Sequence, residues 1–141
     1  MTDKSIYKDV LMDHYRNPRN RSDLADADVV RRGSNPRCGD DIEVGVNFDN
    51  EILDTVRFRG RGCSVCLASA SMMTETVSGK TKDDVQQLVE GMRSWFGGEG
   101  GDSTISPADS LEALDAVRGH SARKRCVLLA WEALDDALRT E

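Results

Sequence analysis

Apolar residues recur every three or four positions in five segments of the chain, a spacing that predicts amphipathic helices. The first segment ends at Asn17-Pro18, because the residue before a proline avoids the helical conformation. Gly79 and Gly119 follow two later segments, where glycine suits the end of a helix. We therefore predict five helices, which begin near Ser5, Ser64, Thr81, Ser106 and Ser121.

A different pattern occupies residues 42–48, where apolar and polar residues alternate as in a half-buried strand. Residues 49–51 form a predicted turn, and a second strand follows with Ile52, Val56 and Phe58 on its buried side. The two segments predict an antiparallel hairpin with one face on the core and the other in water. Together with the helices, this hairpin predicts an α+β fold.

Polar segments connect and flank these elements. Residues 19–32 are polar and mixed in charge, and we interpret them as a loop that crosses the surface. Arg57, Arg59 and Arg61 line the outer side of the second strand, where they either dock an acidic partner or lie in solvent. The glycine-rich residues 97–102 lack the Gly-Lys-Ser/Thr ending of a phosphate-binding loop, so they are predicted to be a linker.

The composition is that of a small globular protein. A length of 141 residues predicts one domain, residues 1–141. With 31% charged residues, no window is apolar enough for a transmembrane segment, and the polar N-terminus lacks a signal region, so a cytoplasmic location is expected. A net charge of −6 and 5% aromatic residues argue against a nucleic-acid binder.

The cysteines carry the candidate chemistry. In a reducing cytosol, four cysteines are expected to be thiols or metal ligands rather than disulfides. Cys38 and Asp40 flank a glycine before the first predicted strand, Cys63 follows a glycine-rich turn, and Cys126 lies on the inward face of the last helix. We expect the fold to bring these four residues to one exposed corner. Three sulfurs and one oxygen suit zinc or a labile iron–sulfur cluster.

Two further residues leave their roles open. Cys66 lies three residues after Cys63, so it is half of a zinc site, one member of a redox pair, or a small buried side chain. Ser64 and Val65 stand between the two thiols, where redox pairs usually have an aromatic residue or Pro-Gly. His14 is either a ligand or a packing residue of the first helix.

Several motifs together resemble a known family. They are NPRCGD at residues 35–40, GC at 62–63 running into ASASMM at 68–73, and RC at 125–126. This combination resembles the iron–sulfur cluster scaffold family IscU/NifU/SufU over nearly the whole chain. The resemblance implies a SufE/NifU (IscU-like) fold, in which a small antiparallel sheet of about three strands packs against four to six helices.

The motifs are most similar to the SufU branch. The chain lacks the Leu-Pro-Pro-Val-Lys chaperone-binding segment and the histidine that precede the third cysteine of the housekeeping scaffold. Residues 97–119 resemble the insertion typical of SufU, and CVLLAW at 126–131 is also SufU-like.

This resemblance implies a zinc-dependent sulfurtransferase, or sulfur carrier, that acts with another enzyme. Zinc would be held by Cys38, Asp40, Cys63 and Cys126. The protein would take persulfide sulfur from a PLP-dependent, SufS-like cysteine desulfurase and pass it to downstream iron–sulfur assembly proteins. Cys66 departs from the expected pattern, since its thiolate could compete with Asp40 as the fourth ligand.

The resemblance also implies a ligand exchange. Zinc keeps its cysteine ligands deprotonated, but a ligated thiolate is a poor nucleophile, so the partner is expected to supply a replacement ligand such as a histidine. Cys38 is the expected sulfur acceptor, because its glycine-containing loop swings more easily than the helix that carries Cys126. Arg125 either orients Asp40 or the partner, or is simple surface charge.

Three alternatives remain open at this point. The same residues could assemble a transient [2Fe–2S] cluster for transfer to apo-proteins. The zinc could instead be purely structural, in which case cysteine variants would unfold. Thiol–disulfide exchange through Cys63 and Cys66 is the third alternative.

Overall fold

The protein has an α+β architecture, in which, over the residues that the structure describes, one helix precedes three consecutive strands and four helices follow them. The structure is a computed structural model that describes residues 4–36, 39–96, 108–117 and 121–140. The three strands form one antiparallel sheet in the order β1-β2-β3. This sheet and the five helices around it confirm the predicted fold class. The elements are α1 (Lys4–Arg16), β1 (Val29–Asn35), β2 (Asp40–Asp49), β3 (Ile52–Arg61), α2 (Ser64–Val77), α3 (Lys82–Phe96), a 3₁₀ helix (Asp109–Val117) and α4 (Ser121–Thr140).

Strand β1 completes the sheet of about three strands that the resemblance implied, but the sequence pattern did not locate it, and the interpretation of residues 19–32 as a loop is wrong from Val29 onward. The strand pairs with β2 from Val29 opposite Val46 to Asn35 opposite Asp40. After two valines its sequence is Arg-Arg-Gly-Ser, which has no alternation of apolar residues. Such an edge strand forms because β2 offers it a ladder of backbone partners, a tertiary cause that its own residues do not reveal.

The hairpin of β2 and β3 is confirmed, but one of its residues points the other way. Val56 and Phe58 are buried as predicted, whereas Ile52 is 41% exposed and Leu53 is fully buried in its place. The ladder has an irregularity at Asn47 and Phe48. An extra residue in one strand reverses the alternation beyond it, so the prediction for Ile52 is wrong.

Residues 19–28, the part of the predicted loop that precedes β1, do cross the surface. It runs along the open edge of β3, where the Ser22 amide donates to the Phe58 carbonyl at 3.0 Å and the Phe58 amide donates to the Asn20 carbonyl at 3.0 Å. It then covers the outer face of the sheet, since a Cβ added to Gly45 would lie 2.9 Å from Leu24. The segment therefore protects a sheet edge that would otherwise be unpaired.

Two of the three arginines of the outer sheet face, Arg57 and Arg59, have side-chain partners within the chain. Arg59 donates to the Glu43 carboxylate at 2.9 Å, and Arg57 donates to the Asn47 side-chain oxygen at 3.2 Å. Arg57 also donates to the Asp23 carbonyl at 3.2 Å. These contacts favour a solvated, internally paired face over a docking surface for an acidic partner.

The helices pack on the inner face of the sheet. Helix α2 lies against α1, α4 and β3, and α4 lies against β1 and β2. Thr81 caps α3 as predicted, since its hydroxyl accepts from the Asp84 amide at 3.1 Å. Trp95 and Phe96 are the last two residues of α3, and both are buried with their ring centroids 5.0 Å apart.

The next predicted helix has a different geometry from the one expected. Residues 109–117 form a 3₁₀ helix, in which Leu111 and Leu114 align one turn apart and are both fully buried. The predicted linker at 97–102, the Ser106-Pro107 start and most of the 97–119 insertion lie outside the described residues.

His14 ties the first helix to α2. It is 8% exposed, and its Nδ1 lies 2.8 Å from the Ser71 hydroxyl. Burial lowers the pKa of His14, and the nearby positive charge of Arg19 adds to the effect. The packing role left open by the sequence is therefore the one that the structure favours.

Within the described part of the chain, every helix is too short or too polar to cross a bilayer.

Candidate metal centre

The register of the hairpin brings the first pair of candidate residues together. Asp41 at the start of β2 pairs with Arg61 at the end of β3, so Asp40 lies beside the start of α2. There the Cys63 amide donates to Asp40 Oδ1 at 2.9 Å. The carboxylate thus satisfies one of the backbone N–H groups that a helix start leaves without a partner.

Cys63 is the N-cap residue of α2. Its backbone is extended (φ −68°, ψ 168°), and its sulfur accepts from the Cys66 amide at 3.4 Å. An N-cap position places the sulfur where free amides and the helix dipole favour a thiolate.

Gly62 makes this close arrangement sterically possible. A Cβ at this position would lie 3.0 Å from Asp40 Oδ1 and 3.0 Å from the Cys66 sulfur. Both side chains therefore lie against the glycine, which leaves no room for a larger residue.

The third candidate comes from α4, which a buried hydroxyl holds against α2. Ser69 donates to the Val127 carbonyl at 2.7 Å and accepts from Trp131 Nε1 at 3.2 Å. Because Val127 follows Cys126, these two hydrogen bonds fix the position of Cys126 along α4 relative to α2 and the end of the hairpin.

Asp40, Cys63 and Cys126 form one cluster. One ligand atom from each lies within 4.8 Å of the other two. Asp40 and Cys126 are almost fully buried, at 2% and 1% exposed, while Cys63 is half-buried. The cluster is therefore closed on the core side and reached from solvent past Cys63.

The donor set fits a metal ion. Asp40 Oδ2 is buried and has no hydrogen-bond partner among the described residues, an arrangement that is costly unless another group engages the oxygen. Two thiols and a carboxylate whose ligand atoms lie within 4.8 Å of one another are groups that zinc binds in proteins.

The electrostatic environment of the thiols also fits a bound cation. Burial raises the pKa of the Cys126 thiol, and hydrogen bonds to Asp40 and Cys63 add to the shift. Three acidic groups are thus held so close together that burial and their mutual repulsion oppose the ionisation of Cys126. A cation among them would favour their ionised forms.

Arg123 also belongs to the surroundings of the cluster, although it was not identified as a site residue from the sequence. The negative charge of Cys63, followed by that of Cys126, raises the pKa of its guanidinium. The sequence feature that could have identified Arg123 is its three-residue spacing to Cys126, which places both side chains on one face of a helix. Arg125, the arginine singled out from the sequence, is exposed.

The two other cysteines, Cys38 and Cys66, are not part of this cluster as the structure describes it. Cys38 lies outside the described residues, between Asn35 and Asp40, which pair across β1 and β2. Cys66 is fully buried and does not belong to the cluster of Asp40, Cys63 and Cys126.

Comparison with known proteins identifies relatives along the whole chain. Residues 6–92 match the NifU-like N-terminal domain. The zinc-dependent sulfurtransferase SufU of Bacillus subtilis is 38% identical over 97% of this chain and 92% of its own length. The iron–sulfur cluster assembly scaffold protein IscU of Thermotoga maritima is 29% identical over 99% of this chain and 96% of its own.

A solved structure agrees with these matches. The crystal structure of a protein proposed as the iron–sulfur cluster assembly scaffold of the SUF system in Fervidobacterium islandicum superposes with a TM-score of 0.79 at 28% identity. The superposition covers 97% of this chain and 99% of that one. The matched domain and the extent of the identity together show that the chain belongs to the NifU-like N-terminal domain family.

Proposed function

We propose that this protein is a zinc-binding sulfur acceptor of iron–sulfur cluster biogenesis, working in the cytoplasm with a PLP-dependent, SufS-like cysteine desulfurase. The observation that carries the proposal is the cluster of Asp40, Cys63 and Cys126, in which a buried carboxylate oxygen has no partner among the residues that the structure describes. The similarity to a zinc-dependent sulfurtransferase over 97% of the chain supports the same function. Downstream iron–sulfur assembly proteins would receive the sulfur.

Cys38 is the proposed fourth zinc ligand. It is two residues from Asp40 in the sequence, and Cys63 is half-buried rather than enclosed. Bound zinc would keep the coordinating thiols deprotonated near neutral pH.

Cys38 is also the proposed sulfur acceptor. Its thiolate attacks the outer sulfur of the desulfurase persulfide, and a new S–S bond forms as the bond between the two persulfide sulfurs breaks. The desulfurase cysteine leaves as a thiolate, and the proton of the persulfide stays on the transferred sulfur. No external oxidant or reductant enters this step, because the sulfur passes between equivalent thiols.

Arg123 is the proposed orienting residue, in preference to Arg125. Its guanidinium interacts with Cys63 and Cys126 from the exposed end of α4. A fixed positive charge there would stabilise the negative charge that passes from the attacking thiolate to the leaving thiolate. It would act through position and charge rather than through proton transfer, since an arginine stays protonated.

The experiment is a single turnover with the desulfurase and cysteine, followed by tryptic mapping without reductant. Cleavage after Arg37 and Arg57 places Cys38 on the fragment of residues 38–57, which is expected to gain one sulfur atom. The variant Cys38→Ser should abolish both this gain and the stimulation of alanine release. Unchanged stimulation, or sulfur found only on another cysteine, would reject Cys38 as the acceptor.

A second candidate function is the assembly of a transient [2Fe–2S] cluster on the same residues. The 29% identity to an iron–sulfur cluster assembly scaffold protein over nearly the full chain favours it. Metal analysis and visible absorption of protein purified without oxygen separate the two functions. Zinc without iron–sulfur absorption supports sulfur transfer, and a charge-transfer spectrum with iron supports the scaffold.

A further inference from the structure

A second thiol lies directly behind the candidate metal centre and has no part in the proposed sulfur transfer. Cys66 is fully buried, and its backbone amide donates to the Cys63 sulfur at 3.4 Å. Its own sulfur lies on the side of Gly62, because a Cβ on that glycine would come within 3.0 Å of it. The Cys66 thiol is thus directed toward the turn that carries Cys63.

The helical position of the two cysteines suits a disulfide. Cys63 is the N-cap of α2 and Cys66 is the third residue of that helix. Side chains at these two positions lie close enough to exchange hydrogen bonds in capping boxes. Disulfides join Cα atoms about 4.4–6.8 Å apart, and the extended N-cap backbone of Cys63 brings its sulfur to 3.4 Å from the Cys66 amide nitrogen.

The two thiols differ in access in the way that such a reaction requires. Cys63 is half-buried and reached from solvent, whereas Cys66 is 0% exposed. A small oxidant therefore reaches Cys63 first, and Cys66 is in place to attack the oxidised sulfur from behind.

We propose that hydrogen peroxide converts Cys63 and Cys66 into a disulfide, which withdraws Cys63 from the metal centre and releases the metal. The pair is a modification site that lies beside the sulfur-acceptor chemistry and is separate from it. The release of metal rests on the proposed function, but the formation of the disulfide does not.

The chemistry balances in two steps. The Cys63 sulfur attacks one peroxide oxygen, the O–O bond breaks, and hydroxide leaves and is protonated to water, so that Cys63 becomes a sulfenic acid. The Cys66 sulfur then attacks the Cys63 sulfur, the S–O bond breaks, and the leaving hydroxide takes up the Cys66 proton as a second water. Overall, two thiols and one peroxide give one disulfide and two waters, and a dithiol reductant reverses the oxidation.

The experiment treats the zinc-loaded full chain with a small excess of hydrogen peroxide and then maps it with trypsin without reductant. Cleavage after Arg61 and Lys80 leaves both cysteines on the fragment of residues 62–80, which is expected to lose two hydrogen atoms. Met72 and Met73 on the same fragment would each add an oxygen instead, so their oxidation is distinguishable by mass. A chromophoric chelator should report zinc release in step with the disulfide, and a dithiol with added zinc should reverse both.

Cys66→Ala is the variant that isolates the second thiol, and Cys66→Ser is a second variant should the first be unstable. Both are expected to bind zinc, and peroxide should cause no loss of two hydrogen atoms from their 62–80 fragment. Oxygen added to Cys63 as a sulfenic acid is removed by the dithiol, whereas oxygen on Met72 or Met73 is not. A wild-type 62–80 fragment that keeps both hydrogen atoms while zinc is released would overturn the proposal, as would a wild-type disulfide that links Cys63 to Cys126 on its separate fragment. If the parent protein binds no zinc, the proposed function fails. The mass of its 62–80 fragment after peroxide treatment still shows whether the disulfide between Cys63 and Cys66 forms.

Discussion

The two carboxylate oxygens of Asp40 have different surroundings. Oδ1 accepts from the Cys63 amide at 2.9 Å, whereas Oδ2 is buried and has no partner among the described residues. One oxygen therefore organises the helix start, and the other is available to a metal ion. Asparagine in this position would keep the first role and lose the negative charge, which allows the two roles to be separated.

We therefore compare Asp40→Asn with Asp40→Ala. Both variants should bind zinc at least about ten-fold more weakly, because they lose a charged oxygen next to two thiols. Only the alanine variant should also lose about 1 kcal/mol of folding stability in zinc-free buffer, since it alone leaves the Cys63 amide without its acceptor. Chelator competition measures the first effect and urea unfolding the second; equal stabilities would show that the Cys63 hydrogen bond contributes nothing measurable.

His14 makes stability depend on pH. Burial lowers its pKa, so the folded state binds a proton less readily than the unfolded chain. Stability should therefore rise with pH through the range below the ordinary histidine pKa of about 6.5, and fall on acidification. Glu75, 3.7 Å from Nε2, opposes the shift only in part.

The measurement is urea unfolding at pH 5.5 and pH 7.5 for the parent protein and for His14→Gln, both with chelator. The parent should lose more stability on acidification than the variant does, since glutamine does not titrate. The difference between the two proteins removes the contribution of the cysteines and carboxylates that both retain. Identical losses would assign the acid sensitivity to other groups.

At the scale of elements, the site depends on how α4 is held against α2. The Ser69 hydroxyl is fully buried and connects the Val127 carbonyl with the Trp131 indole. Cys126 precedes Val127, so a change in this helix contact moves a proposed ligand without touching it.

Ser69→Ala should cost about 1–3 kcal/mol, because it leaves a buried carbonyl and a buried N–H without their partner. It should also weaken zinc binding, since Cys126 loses its fixed position. Ser78→Ala is the matched control: its hydroxyl donates to the Thr74 carbonyl at the far end of the same helix. The control should keep the zinc affinity of the parent, and an unaffected affinity in Ser69→Ala would separate the helix contact from the site.

At the scale of the whole molecule, the core does not depend on the metal centre. Its largest fully buried side chains belong to the sheet and all the helices after it. None of them is a proposed ligand, although Cys126 belongs to the same buried cluster and Cys63 packs against it. They include Trp95, Trp131, Phe58, Phe96, Ile42 and Leu53. This arrangement differs from a small zinc module, which has too few apolar residues to fold without its metal.

Zinc removal should consequently leave the protein folded. We expect the chelated protein to keep its helical circular dichroism and a cooperative unfolding transition at lower temperature. Restored zinc at 100 times its dissociation constant should add about 2.7 kcal/mol by mass action. Loss of the cooperative transition on chelation would instead identify the structural zinc module considered from the sequence.

The elements that local pattern defines were predictable. The helical spacing, the alternation in β2 and the Thr81 cap each depend on residues within one or two turns of one another, so the sequence carries their signal. Family membership was also predictable, since it rests on the short motifs around the cysteines. The thiol and carboxylate types that make a metal centre chemically reasonable are visible in the same motifs.

The tertiary structure decided what depends on distant partners. Strand β1 exists because β2 supplies its ladder, and the irregularity at Phe48 exchanges Ile52 for Leu53 in the core. The meeting of Asp40, Cys63 and Cys126 requires the hairpin register and the packing of α4, two relations that span tens of residues. The sequence determined which residues could react, and the register and helix packing determined which of them meet, because backbone ladders and buried contacts form between segments that no local pattern connects.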